Sequence, residues 1–235
     1  MAAKFSFIIP TRNEAGYIEG CLRSIRGQRR RDYEIIVVDT LSIDRTQAIA
    51  KRYADKVLPE PRRGPAVARN TGARAARGSI FIFADADVRF DADFLDRIDK
   101  EFSRRRTLAG GICRLVPYDA PSALIARSYQ VVDWLAWLLN ALGIPITAGS
   151  CFIFRRSAFR RAGGFNRCLW TNEDHDMASR AARFGRFVHL DIPIYTSARR
   201  VAERGWLRML LTYIKSTAMY ALNKSCLRNY WDSEA

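Results

Sequence analysis

Four short apolar runs alternate with helical segments between Phe5 and Asp87, and that alternation leaves few folds open to the chain. Phe5 to Ile9 stops at Pro10, Ile35 to Val38 at Asp39, Val57-Leu58 at Pro59, and Ile80 to Phe83 runs through Ala84 to Asp85. Continuous apolar runs of this length suit strands covered on both faces. Between them Ile18, Cys21, Leu22 and Ile25 recur at helical spacing. Ser42 to Thr46 caps a second helix reaching about Tyr53, and Ala66 to Arg77 forms a third. Strand and helix in alternation predict an α/β fold in three α/β/α layers, with a mainly parallel central sheet and right-handed crossovers.

In such a sheet ligands sit beyond the carboxyl ends of the strands. Pro10 to Glu14, Asp39 to Asp44 and Asp85 to Asp87 all fall at that rim. Asp85 and Asp87, at i and i+2, share one side if the backbone stays extended. Two hard oxygen donors there suit Mg²⁺ or Mn²⁺ holding phosphates. Each acid also has a plainer use. Asp85 and Asp87 could be solvated loop acids or caps for a helix from Asp91 to Phe102, Asp44 a cap ahead of Thr46, and Asp39 a strand-end acid. Three acidic strand ends meeting at one rim favour a single site.

The net charge of +15, from 39 Lys and Arg against 24 Asp and Glu, calls for an anionic partner. Phosphate-rich small molecules, an acidic membrane surface and nucleic acid all qualify. The five cysteines are odd in number and include no C-x-x-C pair, so neither a zinc site nor a disulfide framework is indicated. With the first strand starting at Phe5, no leader is expected ahead of it, and no clean run of about 18 apolar residues occurs. The sequence therefore predicts a cytoplasmic chain without a spanning helix.

Beyond Phe102 the pattern loosens. Gly110 to Val116 predicts a strand supporting the sheet edge, Ala148 to Phe154 another, and Phe187 to Leu190 a last short one. Arg155 to Ala162 and Thr171 to Phe184 predict helices, the first closed by Gly163-Gly164. Ser122 to Leu142 and Trp206 to Leu222 are long, apolar and Trp-bearing, with Arg199, Arg200, Arg204 and Arg208 nearby.

Six motifs in order resemble family 2 glycosyltransferases: Ile8 to Glu14, Ile36 to Thr46, Gly64 to Gly72, Phe83 to Asp87, Gly163 to Phe165, and Asn172 to Asp176. The departure is Thr40-Leu41, where that family more often has Gly or Ser. The resemblance implies the GT-A fold, which is Rossmann-like, and an inverting hexosyl transfer from a UDP- or GDP-linked sugar. The Gln-x-x-Arg-Trp motif of processive synthases is absent, which implies a single transfer per visit. Residues 1–195 would form this domain, with 1–105 holding the nucleotide sugar and 106–195 the acceptor. Residues 196–235 would form an amphipathic helical tail.

The resemblance also assigns roles. Pro10, Thr11, Arg12 and Glu14 would line the nucleoside pocket with Asp44, and Asp39 would hydrogen-bond the base, as an acceptor-only carboxylate can. Arg69 would reach the diphosphate with its planar fork of donors; its plainer use is that of a solvated helix arginine. Apart from the resemblance, Arg62 and Arg63 read first as plain surface and second as phosphate-steering charges. Asp87 would ligate Mn²⁺ or Mg²⁺, with Asp85 toward the ribose or the metal's outer shell and Ala86 between them. Asp174, with Glu173 second, would be the general base; carboxylates so close can raise one another's pKa. Their plainer use is to complement a helix dipole. Gly149, Ser150, Gly163, Gly164 and Phe165 would line the sugar and acceptor pocket.

The two apolar helices suggest peripheral attachment to an anionic membrane, with a lipid-linked or membrane-proximal acceptor. Core packing or a homodimer face would use the same residues. Two other function classes compete. A nucleotidyltransferase shares an Asp-x-Asp site, but it would carry a Gly-rich loop with Lys and Arg, and Thr11 to Gly16 has one Gly and no Lys. A nucleic-acid binder would account for the charge, but the aromatic residues do not interleave with the basic ones as a stacking platform. No specific nucleic acid is expected.

Overall fold

The computed structural model describes residues 3–147 and 149–205, together with 211, 212 and 215. The predicted alternation is present: β1 (Phe5–Thr11), α1 (Ile18–Arg26), β2 (Tyr33–Asp39), α2 (Thr46–Tyr53), β3 (Lys56–Pro59), α3 (Pro65–Ala75) and β4 (Ile80–Ala84). Then come α4 (Phe94–Arg104), β5 (Leu108–Pro117), α5 (Ala123–Ala141), β6 (Cys151–Arg155) and α6 (Arg156–Arg161). α7 (Glu173–Ala181), a 3-10 turn at Ala182–Phe184, β7 (Arg186–Thr196) and α8 (Arg199–Arg204) complete them. The helix predicted from Trp206 to Leu222 lies almost wholly outside the described residues.

The sheet has the order β3-β2-β1-β4-β6-β5-β7. Only β6 runs against its neighbours. The chain steps outward from β1 through β2 to β3, then returns to place β4 on the other side of β1. That reversal opens a crevice beyond the carboxyl ends of β1 and β4, the position where open α/β sheets bind ligands.

Alternate residues of each strand feed two cores, as a pleated backbone requires. Phe5, Phe7 and Ile9 pack with Ile18, Leu22 and Ile25 of α1 and Phe94 and Ile98 of α4. Ile8, Phe81 and Phe83 face the other way, onto α3, Phe159 of α6 and Met177 of α7. Gly72 lets α3 lie close on the sheet: a Cβ there would collide with Ile8 Cγ2 and sit 3.1 Å from Val38 Cγ2. This close approach sets the height of Arg69 one turn earlier. Cys21, Cys113 and Cys151 are buried without disulfides.

One feature differs from expectation. β7 does not end at Leu190 but runs to Thr196. A register shift against β5 passes from Cys113↔Leu190 to Arg114↔Pro193. Such an irregularity accommodates a proline inside a strand. β7 forms the sheet edge beside β5, as the order of strands requires. α5 turns its apolar face outward. It buries Asp133, Ala136 and Asn140 and exposes Leu124, Val131, Trp134, Leu135 and Trp137, with Trp134 at 57%. Asp133 faces inward because it accepts the Leu115 N–H at 2.8 Å and lies 3.0 Å from His189 Nε2. No helix among the described residues is long and apolar enough to cross a membrane.

Candidate active site

The loops after β1 and β2 are stitched together before any ligand is considered. The Asn13 N–H donates to Ser42 Oγ, and the Asn13 side chain accepts from the Ile43 N–H. The Glu14 N–H donates to Thr46 Oγ1 at 2.8 Å, and the Ala15 N–H to Asp44 Oδ2 at 3.0 Å. Asp44 also accepts from the Thr46 N–H and hydroxyl, so its carboxylate serves the start of α2 and the neighbouring loop. Leu41 holds φ at +55°, a left-handed conformation that favours glycine. The backbone there keeps the turn that Gly would make more easily.

Asp39, at the end of β2, is buried and fully subscribed. Oδ1 accepts from the Thr11 and Ser42 hydroxyls, and Oδ2 from the Ser42 N–H and Gln47 Nε2. A carboxylate offers about four acceptor positions. A base N–H can join only by replacing one of these donors. Pro10 and Arg12 are half-buried at the same rim, and Thr11 is buried.

Asp85 and Asp87 follow β4. The extended pairing continues just past the strand, where the Asp85 N–H donates to the Ser150 carbonyl at 3.0 Å. This pairing brings Ser150 to the acids. Ala86 between them packs into the core, so only its backbone can face the site. Asp87 is nearly buried. Burial, then the neighbouring Asp85 charge, raises its pKa above the usual carboxylate value.

Arg69 joins the two halves of the molecule. Its Nη1 donates to Glu173 Oε1 at 2.5 Å and its Nη2 to Asp85 Oδ1 at 3.1 Å. The guanidinium is buried and stands 4.8 Å from the Phe152 ring centre. Burial disfavours its charge, but Glu173 and Asp85 hold it protonated. Its Nε has no hydrogen-bond partner.

Glu173 and Asp174 open α7, and their environments push them apart. Burial raises the Glu173 carboxyl to about 7, with Arg69 opposing and Asp174 adding. Asp174 also feels burial. His175, the Thr147 hydroxyl and Arg69 outweigh it and hold the pKa below the usual value. Thr147 Oγ1 donates to Asp174 Oδ2 at 2.6 Å, and the His175 N–H to Oδ1 at 2.9 Å. The Thr147 N–H donates to His175 Nδ1 at 3.0 Å. The expected raised pKa thus falls on Glu173, not on Asp174.

The Glu173 shift has a direct consequence for stability. The unfolded carboxyl titrates at 4.5 and the folded one at about 7. Between these values the folded state binds more protons, so this group's contribution to stability is lost as pH rises. Urea denaturation across pH 4.5 to 7 should lose on the order of 3 kcal/mol through Glu173. Glu173→Gln should flatten that part of the profile.

Sequence reasoning missed Arg199. From the first turn of α8 its Nη2 donates to both Glu14 oxygens, at 2.8 and 2.7 Å, and its Nε lies 3.3 Å from Asp87 Oδ2. Burial raises the Glu14 pKa against this pairing. The sequence marked Arg199 only as one of several basic residues near an apolar segment, and no spacing ties it to Glu14. Asn70 was missed as well. It accepts from the Phe165 N–H and donates to the Phe165 carbonyl, tying the Gly163-Gly164 turn to α3.

Other predicted residues lie less directly on the site. The Phe165 ring is core, 5.0 Å from the Phe83 ring, and lies against the Arg69 guanidinium. Any part it has in the sugar pocket would fall to its backbone. Gly163 and Gly164 take positive φ, and a Cβ on Gly164 would strike Asn70 Oδ1. Gly149, also at positive φ, and Ser150 are half-buried. Arg62 is paired with Glu60 through Nε at 2.9 Å, so its charge is already engaged.

Asp85 and Asp87 fit one kind of metal. Among the described residues no group of three or more His, Cys, Asp and Glu side chains gathers to cage an ion. Two carboxylates suffice for Mg²⁺ or Mn²⁺ when substrate phosphates and water supply the remaining ligands. Burial first, and the Asp85 charge second, disfavour the ionised form of Asp87, which a cation would stabilise.

Comparison with known proteins bears on the fold and the family. Over 191 residues, 79% of the chain, it is 28% identical to chondroitin synthase of Pasteurella multocida. It spans 20% of that protein's length. The mannosyltransferase PcManGT of Pyrobaculum calidifontis, solved with GDP-Man and Mn²⁺, superposes with a TM-score of 0.72 at 23% identity. That match covers 97% of this chain and 66% of the other. Staphylococcus aureus TarS, solved with UDP-GlcNAc, gives 0.67 at 21% identity over 83% of this chain and 59% of that one. These likenesses establish a GT-A fold. The family model for glycosyl transferase family 2 matches residues 6–163. The chain belongs to glycosyl transferase family 2.

Proposed function

We propose that the protein is an inverting glycosyltransferase. It takes a sugar from a UDP- or GDP-linked donor and passes it to an acceptor in one metal-assisted displacement. The observation that carries the reading is the buried Arg69 fork, which ties Asp85 at the nucleotide rim to Glu173 beside Asp174. One guanidinium thus sets the distance between the diphosphate end of the donor and the group that would take a proton.

In this reading Thr11, Arg12, Glu14, Asp39 and the Asp44 loop receive the nucleoside. Asp87 would ligate the metal, with Asp85 beside it. A bound Mn²⁺ or Mg²⁺ would neutralise charge on the departing diphosphate. Asp174 takes the acceptor's proton. It is more accessible than Glu173, and its low pKa keeps it ionised at neutral pH. Glu173 holds Arg69 in place. Gly149 and Ser150 border the sugar.

A thermal-shift screen tests the donor. UDP- and GDP-sugars with Mn²⁺ should raise the unfolding temperature, and omitting the metal should reduce the effect. No shift with any of them would sink the proposal.

A membrane-proximal acceptor is supported by the outward apolar face of α5 and the charge of +15. Exposed Trp and aliphatic side chains beside an excess of cations suit an anionic bilayer surface. The protein should float with vesicles rich in anionic lipid at low salt. Equal recovery with and without vesicles would argue against lipid and leave a protein partner for this face.

A further inference from the structure

Arg199 does more at the rim than pair with one acid. Both Glu14 oxygens hold its Nη2, and Tyr17 lies beneath, with the guanidinium carbon 4.0 Å from the ring centre. Toward Asp87 the fit is poorer. Nε comes within 3.3 Å of Oδ2, but its N–H is not aligned on that oxygen and is buried without a hydrogen-bond partner. One side of the fork is anchored and the other leans on Asp87.

A buried N–H without an acceptor is costly. It gains most from a strong acceptor arriving close by, and phosphate oxygens match an arginine fork. A divalent ion at Asp87 meets the opposite situation. It must approach a carboxylate already facing the positive charge of Arg199, with Arg200 adding to it, and like charges repel.

From this geometry we infer that Arg199 is a positioning residue that couples metal binding to the nucleotide diphosphate. The inference rests on the reading of Asp87 as a metal ligand. Alone, a divalent cation competes with Arg199 for Asp87. When the diphosphate arrives, the Arg199 Nε–H turns to a phosphate oxygen while Nη2 keeps its hold on Glu14. Asp87 is then released to the ion. The donor and metal thus bind as a pair, each raising the other's affinity by the same factor.

Titration of Mn²⁺, followed by its electron paramagnetic resonance signal, tests this directly, alone and with saturating UDP or GDP. Arg199→Gln should bind Mn²⁺ alone roughly ten-fold more tightly than wild type, with a correspondingly smaller gain on adding nucleotide. Arg199→Lys keeps the charge and should match wild type for Mn²⁺ alone, with a weaker nucleotide effect because it lacks the planar fork. An Arg199→Gln protein that binds Mn²⁺ no tighter than wild type overturns the inference. If that variant does not fold, Arg199→Lys decides, because ten-fold tightening there would remove charge as the cause. Asp87→Ala separates the two levels. If it retains wild-type Mn²⁺ affinity, the metal site itself is wrong. If it loses Mn²⁺ while Arg199→Gln changes nothing, only the role of Arg199 falls.

Discussion

Replacing Asp174 with Asn should slow sugar transfer by about 10³-fold while leaving donor affinity nearly unchanged, as expected when a general base is removed. The amide keeps the size of the carboxylate, and Thr147 Oγ1 and the His175 N–H can still orient it. What it cannot do is accept the acceptor's proton. Single-turnover transfer and nucleotide-sugar titration on the same protein separate these effects. Loss of donor binding in step with transfer would move Asp174 into the binding machinery. Because its surroundings hold Asp174 below the usual carboxylate pKa, its protonation should not limit the rate near neutral pH. The Glu173 titration near 7 is a different event and should register in stability.

Arg69→Ala should carry the largest stability loss of any single change at the site, about 3–5 kcal/mol, because it strands buried carboxylate charge. Glu173 loses its 2.5 Å partner, and Asp85 a donor at 3.1 Å. The loss should depend on pH. Near pH 5 Glu173 is largely protonated and asks little of Arg69. Near pH 8 it is charged and needs the guanidinium. Urea denaturation at both values checks this, and the double variant Arg69→Ala with Glu173→Gln should recover part of the loss. An equal cost at both pH values would mean that packing on Phe152 dominates, not charge.

The first half of the chain was readable because its contacts are local. Each strand feeds the next helix, and the acids at Asp39, Asp85 and Asp87 fall where parallel strands must end. The second half is held by choices that leave little periodic trace. Pro193 looks like a strand terminator, yet a register shift carries β7 past it to Thr196. The apolar composition of α5 was plain, but its buried face is set by Asp133 meeting the Leu115 N–H. Arg199 was the hardest to foresee, since 185 residues separate it from Glu14 and no motif marks either as the other's partner. The pair Glu173-Asp174 was recognised, but not which member burial would favour. That depended on Arg69 and Thr147, which approach from other elements.

The stitching between the loops after β1 and β2 has a consequence for how a nucleotide would enter. Asn13 and Ala15 each give a backbone N–H to a side chain of the opposite loop, Glu14 gives one to Thr46 at the start of α2, and Asn13 accepts one in return. The walls of that pocket are therefore rigid in advance, and a ligand does not have to freeze a disordered loop on arrival. Ordering entropy, which drains affinity from flexible sites, is already spent in folding. The heat-capacity change on nucleotide binding should accordingly reflect the ligand's own buried apolar surface, with little added by folding of the loops.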